Sequence, residues 1–101
     1  FIFSLSQNFR THHSVSFYAA EQCLTPRYFS TIVREKSGRN ALQWIMMFII
    51  AEAKKLLSDP DPSIKEIAET LGFSNQSFFG RYFKQYVGLS PMAFRSSGAE
   101  E

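Results

Sequence analysis

The chain has little that would support cross-linking, membrane insertion or irregular structure. It holds one cysteine, Cys23, among 101 residues. A lone cysteine excludes an internal disulfide and cannot by itself build a thiolate metal site. It fits a reducing cytoplasm, and a cytoplasmic, nucleoid-associated location is the expectation. Five Gly and four Pro leave few breakers, and helical periodicity dominates over alternation, so the expected class is all-α. The apolar stretch 44–51 is far shorter than the ~18 residues of a membrane span, and no charged leader precedes it. No membrane contact is therefore expected. His12-His13 has no accompanying ligand set, and no nucleophile–base pair, acid pair or phosphate loop is recognisable, so neither an enzyme nor a cofactor is expected. The start at Phe1 rather than Met reads as a piece cut from a longer protein.

What is present is apolar bulk and an uneven charge. Hydrophobic residues make up 45% of the chain, eleven of them Phe, enough for one compact domain or two small lobes. The net charge is only +2, yet no Asp or Glu lies between Thr70 and Ala99, where Arg81, Lys84 and Arg95 sit. Between Thr25 and Asn40, Arg27, Arg34, Lys36 and Arg39 face only Glu35. Acids gather instead at Glu52, Asp59, Asp61, Glu66 and Glu69. Cations segregated in this way suit phosphate contacts, although a solvated basic face looks the same.

A two-helix pattern occurs twice. Val15, Ala19, Leu24 and Thr25 superpose on Ile64, Ala68, Phe73 and Ser74 with a shift of 49, whereas Phe29, Val33, Arg34 and Gly38 superpose on Phe79, Phe83, Lys84 and Gly88 with a shift of 50. Two short helices, the second basic and preceded by a small polar cap, suit insertion into a DNA major groove. Two such units on one linker helix suggest a monomer that reads two grooves.

Local signals predict seven helices. The first covers about 1–12 with Ile2, Leu5 and Phe9 inward. The second starts near Ser16 as cap and turns Phe17, Tyr18 and Ala20 or Cys23 inward. Thr25-Pro26 places a hydroxyl cap before a proline at the first helical position, opening the third helix, which buries Phe29, Ile32 and Val33 and ends at Gly38. Asn40 caps a linker helix whose core stripe reads Leu42, Ile45, Ile49, Ala53 and Leu56. Asp59-Pro60-Asp61-Pro62 breaks it. Ser63 and Glu66 form a capping box for the fifth helix, which Gly72 ends with positive φ. Ser74 or Asn75 caps the sixth, with Phe78 or Phe79, Tyr82 and Phe83 inward. Ser90-Pro91 opens a seventh, Phe94 packs back, and the segment after Arg95 reads as frayed. The resulting organisation is a helix-turn-helix over 14–38, a linker over 40–58, a second helix-turn-helix over 63–88 and a closing helix over 90–96.

The run SIKEIAETLGFSNQSFFGRYFKQYVGLSPMAFR, Ser63 to Arg95, closely resembles the signature of the AraC/XylS-type transcription regulators, with Ile67-Ala68, Gly72-Phe73, Phe79, Phe83-Lys84, Gly88, Ser90-Pro91 and Arg95 at the family's spacing. The upstream VSFYAAEQCLTPRYFSTIVREKSG and the linker WIMMFIIAEAKKLL resemble its first helix-turn-helix and connecting helix more loosely. The resemblance covers about Phe3 to Arg95. It implies a C-terminal DNA-binding domain whose third and sixth helices enter successive major grooves of double-stranded DNA, ~34 Å apart. It also implies RNA polymerase as a partner and an N-terminal effector or dimerisation domain elsewhere in the protein.

Carried across position by position, the resemblance implies base contacts from Arg27, Ser30 and Thr31 and from Gln76, Ser77, Gly80 and Arg81. All but Gly80 are polar and lie on faces the core does not claim. Arg27 or Arg81 suits guanine O6 and N7, and Gln76 suits adenine N6 and N7. Gly80 would permit close approach of the helix. Phosphate candidates are Arg34, Lys36, Arg39, Lys84 and Arg95, with the hydroxyls of Thr25 and Ser74. Arg95 is equally readable as a strut that holds the seventh helix. Cys23, at the place of Gly72, reads as a small packing residue, and Phe78-Phe79 as core rather than a stacking platform. Met46, Met47 and Phe48 depart from the family by making the linker apolar all round, either to dock on the missing domain or a second subunit or as plain apolar surface. A helical protein-interaction module and a non-specific or single-strand binder are the alternative readings.

Overall fold

In the computed structural model, which describes residues 1–98, the described chain is all-helical, with seven helices and no strand: α1 Ile2–Asn8, α2 Val15–Glu21, α3 Pro26–Ser37, α4 Ala41–Ser58, α5 Ile64–Thr70, α6 Gln76–Val87 and α7 Pro91–Ser97. It divides into two compact units, the first Phe1–Ile49 and the second from Ile50 onward. No helix is long and apolar enough to cross a membrane.

The helix boundaries follow from side chains that satisfy the free backbone N–H groups of each first turn. Ser14, not Ser16, caps α2, with Phe17 N donating to its Oγ at 3.4 Å. Thr25 caps α3 by accepting from Tyr28 N at 3.2 Å. Asn40 and Gln43 cap α4 reciprocally: Gln43 N donates to Asn40 Oδ1 at 2.9 Å and Asn40 N to Gln43 Oε1 at 2.8 Å. Ser63 and Glu66 form the expected capping box of α5. Asn75, rather than Ser74, caps α6, with Phe78 N donating to its Oδ1 at 2.9 Å. Thr25 therefore corresponds to Asn75, and the residue by which the second unit is longer is Ser74, in the turn before the cap.

In the first unit, Leu5, Phe9, Tyr18, Ala19, Phe29, Ala41, Ile45 and Ile49 are buried. The Phe1 ring packs edge-on against Phe29 at 5.1 Å and Tyr18 at 5.5 Å between centroids. Tyr18 donates its hydroxyl to His12 O at 2.7 Å, and the His12 ring stacks on Phe17 at 3.7 Å. Burial, with Glu21 nearby, pushes the Tyr18 phenol up to about 12. Ile2 faces outward, unlike Leu5 and Phe9, and the expected α1 stops at Asn8 with a turn beyond it. Ala20 and Cys23, expected inward, are exposed, and the α2 residue buried beside Tyr18 is Ala19.

In the second unit, Ala53, Leu57, Ile64, Ile67, Ala68, Leu71, Phe79, Phe83, Pro91 and Phe94 form the core. Rings follow one another from Phe73 to Phe79 at 5.3 Å, Phe79 to Phe83 at 5.9 Å and Phe83 to Phe94 at 5.5 Å. Phe79 is the inward member of the Phe78-Phe79 pair, and Phe78 is exposed. Tyr82 is half-buried against Phe73, and burial followed by the neighbouring Tyr86 pushes its phenol up to about 12.

The buried stripe of α4 is Ala41, Ile45, Ile49, Ala53 and Leu57, strictly four apart. Leu42 is exposed and Leu56 half-buried, so the expected stripe was displaced by one residue at both ends. Met46, Met47 and Phe48 are all half-buried, with Phe48 packed on Phe9 at 5.8 Å. Besides Leu42, the large apolar side chains left exposed include Phe3, Tyr28, Phe78 and Met92.

Candidate nucleic-acid interface

The turns between the two helices of each unit share two backbone hydrogen bonds. Cys23 N donates to Ala20 O and Leu24 N to Ala19 O, both at 3.0 Å; in the second unit Gly72 N donates to Glu69 O at 3.1 Å and Phe73 N to Ala68 O at 3.0 Å. The pivot is left-handed in both, with φ +59° at Cys23 and +82° at Gly72. Such a turn starts the second helix of each pair in a new direction, and that helix keeps one face exposed.

Those faces correspond residue by residue. Two, five, six and nine positions after the cap, α3 has Arg27, Ser30, Thr31 and Arg34, and α6 has Ser77, Gly80, Arg81 and Lys84. Spacings of three and four bring each set onto one stripe. Arg27, Thr31, Arg34, Ser77, Arg81 and Lys84 are exposed, and Ser30 and Gly80 half-buried. Gln76, exposed at the first position of α6, completes the set. The opposite sides of the two helices bury Phe29, and Phe79 with Phe83. Between Pro26 and Ser37 the single acid is Glu35, and α6 has none. Guanidinium and hydroxyl groups thus make up the α3 stripe, and guanidinium, ammonium, amide and hydroxyl groups the α6 stripe.

The remaining candidates separate. Thr25 uses its oxygen as the α3 cap. Ser74 is exposed and, with Lys65, Glu69, Asn75, Gln76 and Ser77, lines a recess of about 330 Å³ at the start of α6. Lys65 was not singled out from sequence, because one lysine on an amphipathic helix looks like ordinary surface. Lys36 falls on the other side of α3 from Arg27, beside Phe29, Ile32, Val33 and Trp44 along an apolar recess. Arg39 lies over the Trp44 ring at 5.8 Å. Arg95 donates through Nε to Leu57 O at 3.2 Å and through Nη2 to Asp59 O at 2.9 Å. These carbonyls end α4, so Arg95 supplies the strut and stabilises an exposed helix C-terminus. At Gly80 a side-chain Cβ would meet no heavy atom within 4 Å. Cys23 is exposed and fills no gap, contrary to the packing role expected of it.

A helix-turn-helix domain family matches residues 18–97. Over 91 residues the chain is 34% identical to the arabinose operon regulatory protein of Escherichia coli K12. The chain belongs to the AraC/XylS family of transcription regulators. The family relationship extends to the arabinose operon regulatory protein of Salmonella typhimurium, 34% identical over 86 residues, and to the regulatory protein PocR of the same organism, 35% identical over 77. The chain spans about a third of the arabinose regulators, 31% of each, and 25% of PocR, while 85%, 90% and 76% of the chain is covered by the Salmonella and Escherichia arabinose regulators and PocR in turn. The DNA-binding domain of AdpA, a global transcriptional factor solved in complex with a target DNA, superposes with a TM-score of 0.79 at 27% identity, covering 95% of this chain and 86% of that one. The C-terminal domain of AraT, a response regulator from Geobacillus stearothermophilus, shares the fold with a TM-score of 0.83 at 24% identity, over 93% and 78% of the respective chains. These relatives are regulators rather than enzymes.

Proposed function

We propose that this chain binds a specific sequence of double-stranded DNA, with α3 and α6 each reading one major groove. The observation that carries the reading is the recurrence of one polar, cation-bearing stripe at the same helical positions in both units, on helices that share a cap, a left-handed turn and a terminal glycine. Arg27, Ser30 and Thr31 face bases in one half-site, and Gln76, Ser77, Gly80 and Arg81 in the other. Arg34, Lys84 and Arg39 contact phosphates, with Thr25, Ser74 and the amide ends of α3 and α6 close by. Lys65 joins this group because it borders the start of α6. Lys36 and Arg95 are left out on the contacts described above.

The similarity to the DNA-bound AdpA domain supports duplex DNA as the partner. A chain that spans about a third of its relatives leaves effector binding, dimerisation and contact with RNA polymerase to be shared with other segments of such a protein. Selection from a random ~25-bp duplex pool tests the proposal. A motif with two half-sites about 10 bp apart, favoured ~10³-fold or more over a scrambled duplex, is the expected result. No motif, with one steep salt dependence common to both duplexes, would reduce the domain to a phosphate binder. No binding to duplex at physiological salt would point to a helical protein-interaction module.

A further inference from the structure

We propose that Phe78 is a positioning residue for base recognition by α6, holding the Arg81 guanidinium in place, and that the first unit, which has the platform without the arginine, reads its half-site more permissively. The inference rests on the reading of α6 as a groove-reading helix. Phe78 is three positions beyond the cap and is 51% exposed. The core of this unit does not need the ring, since Phe79 and Phe83 fill it with no exposure at all. Instead, the Arg81 guanidinium carbon lies 4.9 Å from the centroid of the Phe78 ring, within the range of a cation–π contact.

The contact has a consequence for recognition. Two parallel hydrogen bonds to a guanine edge require a planar guanidinium held in one orientation. A free arginine must be ordered against the entropy of its rotatable bonds. A ring next to it on the helix surface restricts those bonds before DNA arrives, and arginine bound through its face keeps its edge donors free.

The first unit provides the comparison. Tyr28 occupies the position equivalent to Phe78 and is 58% exposed. The residue equivalent to Arg81 is Thr31, whose hydroxyl donates to Arg27 O at 3.0 Å. Its single proton is therefore engaged in the helix, and the chain is too short to reach two acceptors on one base. The first stripe is left with Arg27 as its only long donor among the three base-facing residues.

The test measures affinity for duplexes carrying each of the four base pairs at the position that depends on Arg81. Wild type, Phe78→Leu, Phe78→Tyr, Arg81→Ala and the Phe78→Leu/Arg81→Ala double variant are compared, with thermal melting as a check on folding. Phe78→Leu should lose about two- to fivefold of the discrimination at that position and none at others. Phe78→Tyr should retain it, and Phe78→Leu should have no effect once Arg81 is Ala. Thr31→Arg should add a preference for guanine in the other half-site. Uniform weakening across all sequences by Phe78→Leu, or an equal loss in the Arg81→Ala background, would overturn the positioning role. If Arg81→Ala relaxes no position, the groove reading of α6 fails instead.

Discussion

At two backbone positions the residue present is not the most stabilising one. Cys23 holds a left-handed conformation, φ +59°, at the place where the second unit has Gly72. A side chain costs about 1–2 kcal/mol there, partly offset by the freedom a glycine loses on folding. Cys23→Gly is therefore expected to stabilise the chain by about 0.5–1 kcal/mol, measured by urea unfolding. Gly80 poses the opposite case. It lies within α6 with open space around it, so Gly80→Ala should add about 0.5–1 kcal/mol of stability. If the helix approaches the bases closely, the same change should weaken binding to the selected duplex by about tenfold, measured by titration. Stability and affinity moving in opposite directions is the signature expected. At this scale the sequence was legible where a residue has one chemical use: Thr25 before Pro26, Ser63 with Glu66, Gly72 after α5. It was less legible where two neighbours compete, as with Ser14 and Ser16 or Ser74 and Asn75, because either hydroxyl or amide can cap and tertiary register chooses.

At the level of elements, α3 and α6 were readable because polar and apolar residues alternate with helical period. α4 was not. With apolar residues from Trp44 to Ala51, any of several stripes satisfies the pattern, and only packing selects Ala41 and Leu57 over Leu42 and Leu56. The difference is measurable. Ile45→Ala removes a fully buried side chain and should cost about 2–5 kcal/mol. Leu42→Ala, at an exposed site, should change stability by no more than about 0.5 kcal/mol. Equal losses would mean that the stripe is wrongly placed. Similar reasoning separates the cations. Lys84→Ala should weaken all duplexes alike and lower the slope of log affinity against log salt by about one, whereas Arg81→Ala should relax one base position. That Arg95 meets the carbonyls of Leu57 and Asp59, and that Lys36 borders an apolar recess, needed coordinates, since charge alone does not say which carbonyl or ring a long side chain will meet.

Over the whole molecule, each unit holds one phenol that partial or full burial pushes up, and this makes an alkaline limit. Tyr18 and Tyr82 are both pushed up from 10 to about 12 in the folded chain. Below pH 10 the phenols are neutral in both states and the stabilisation is complete. Between pH 10 and 12 the unfolded chain releases their protons while the folded chain retains them, so stability falls across that window. Unfolding by urea at a series of pH values, followed with tyrosinate absorbance, should show a plateau and then this decline; Tyr18→Phe should make the decline shallower. The lone thiol has a different consequence for the molecule as a whole. Cys23 is exposed, unique, and set in the turn ahead of α3 rather than on its polar stripe. A dye coupled there would mark one lobe and not the other, and energy transfer to either end of a labelled duplex would report which half of the operator that lobe occupies.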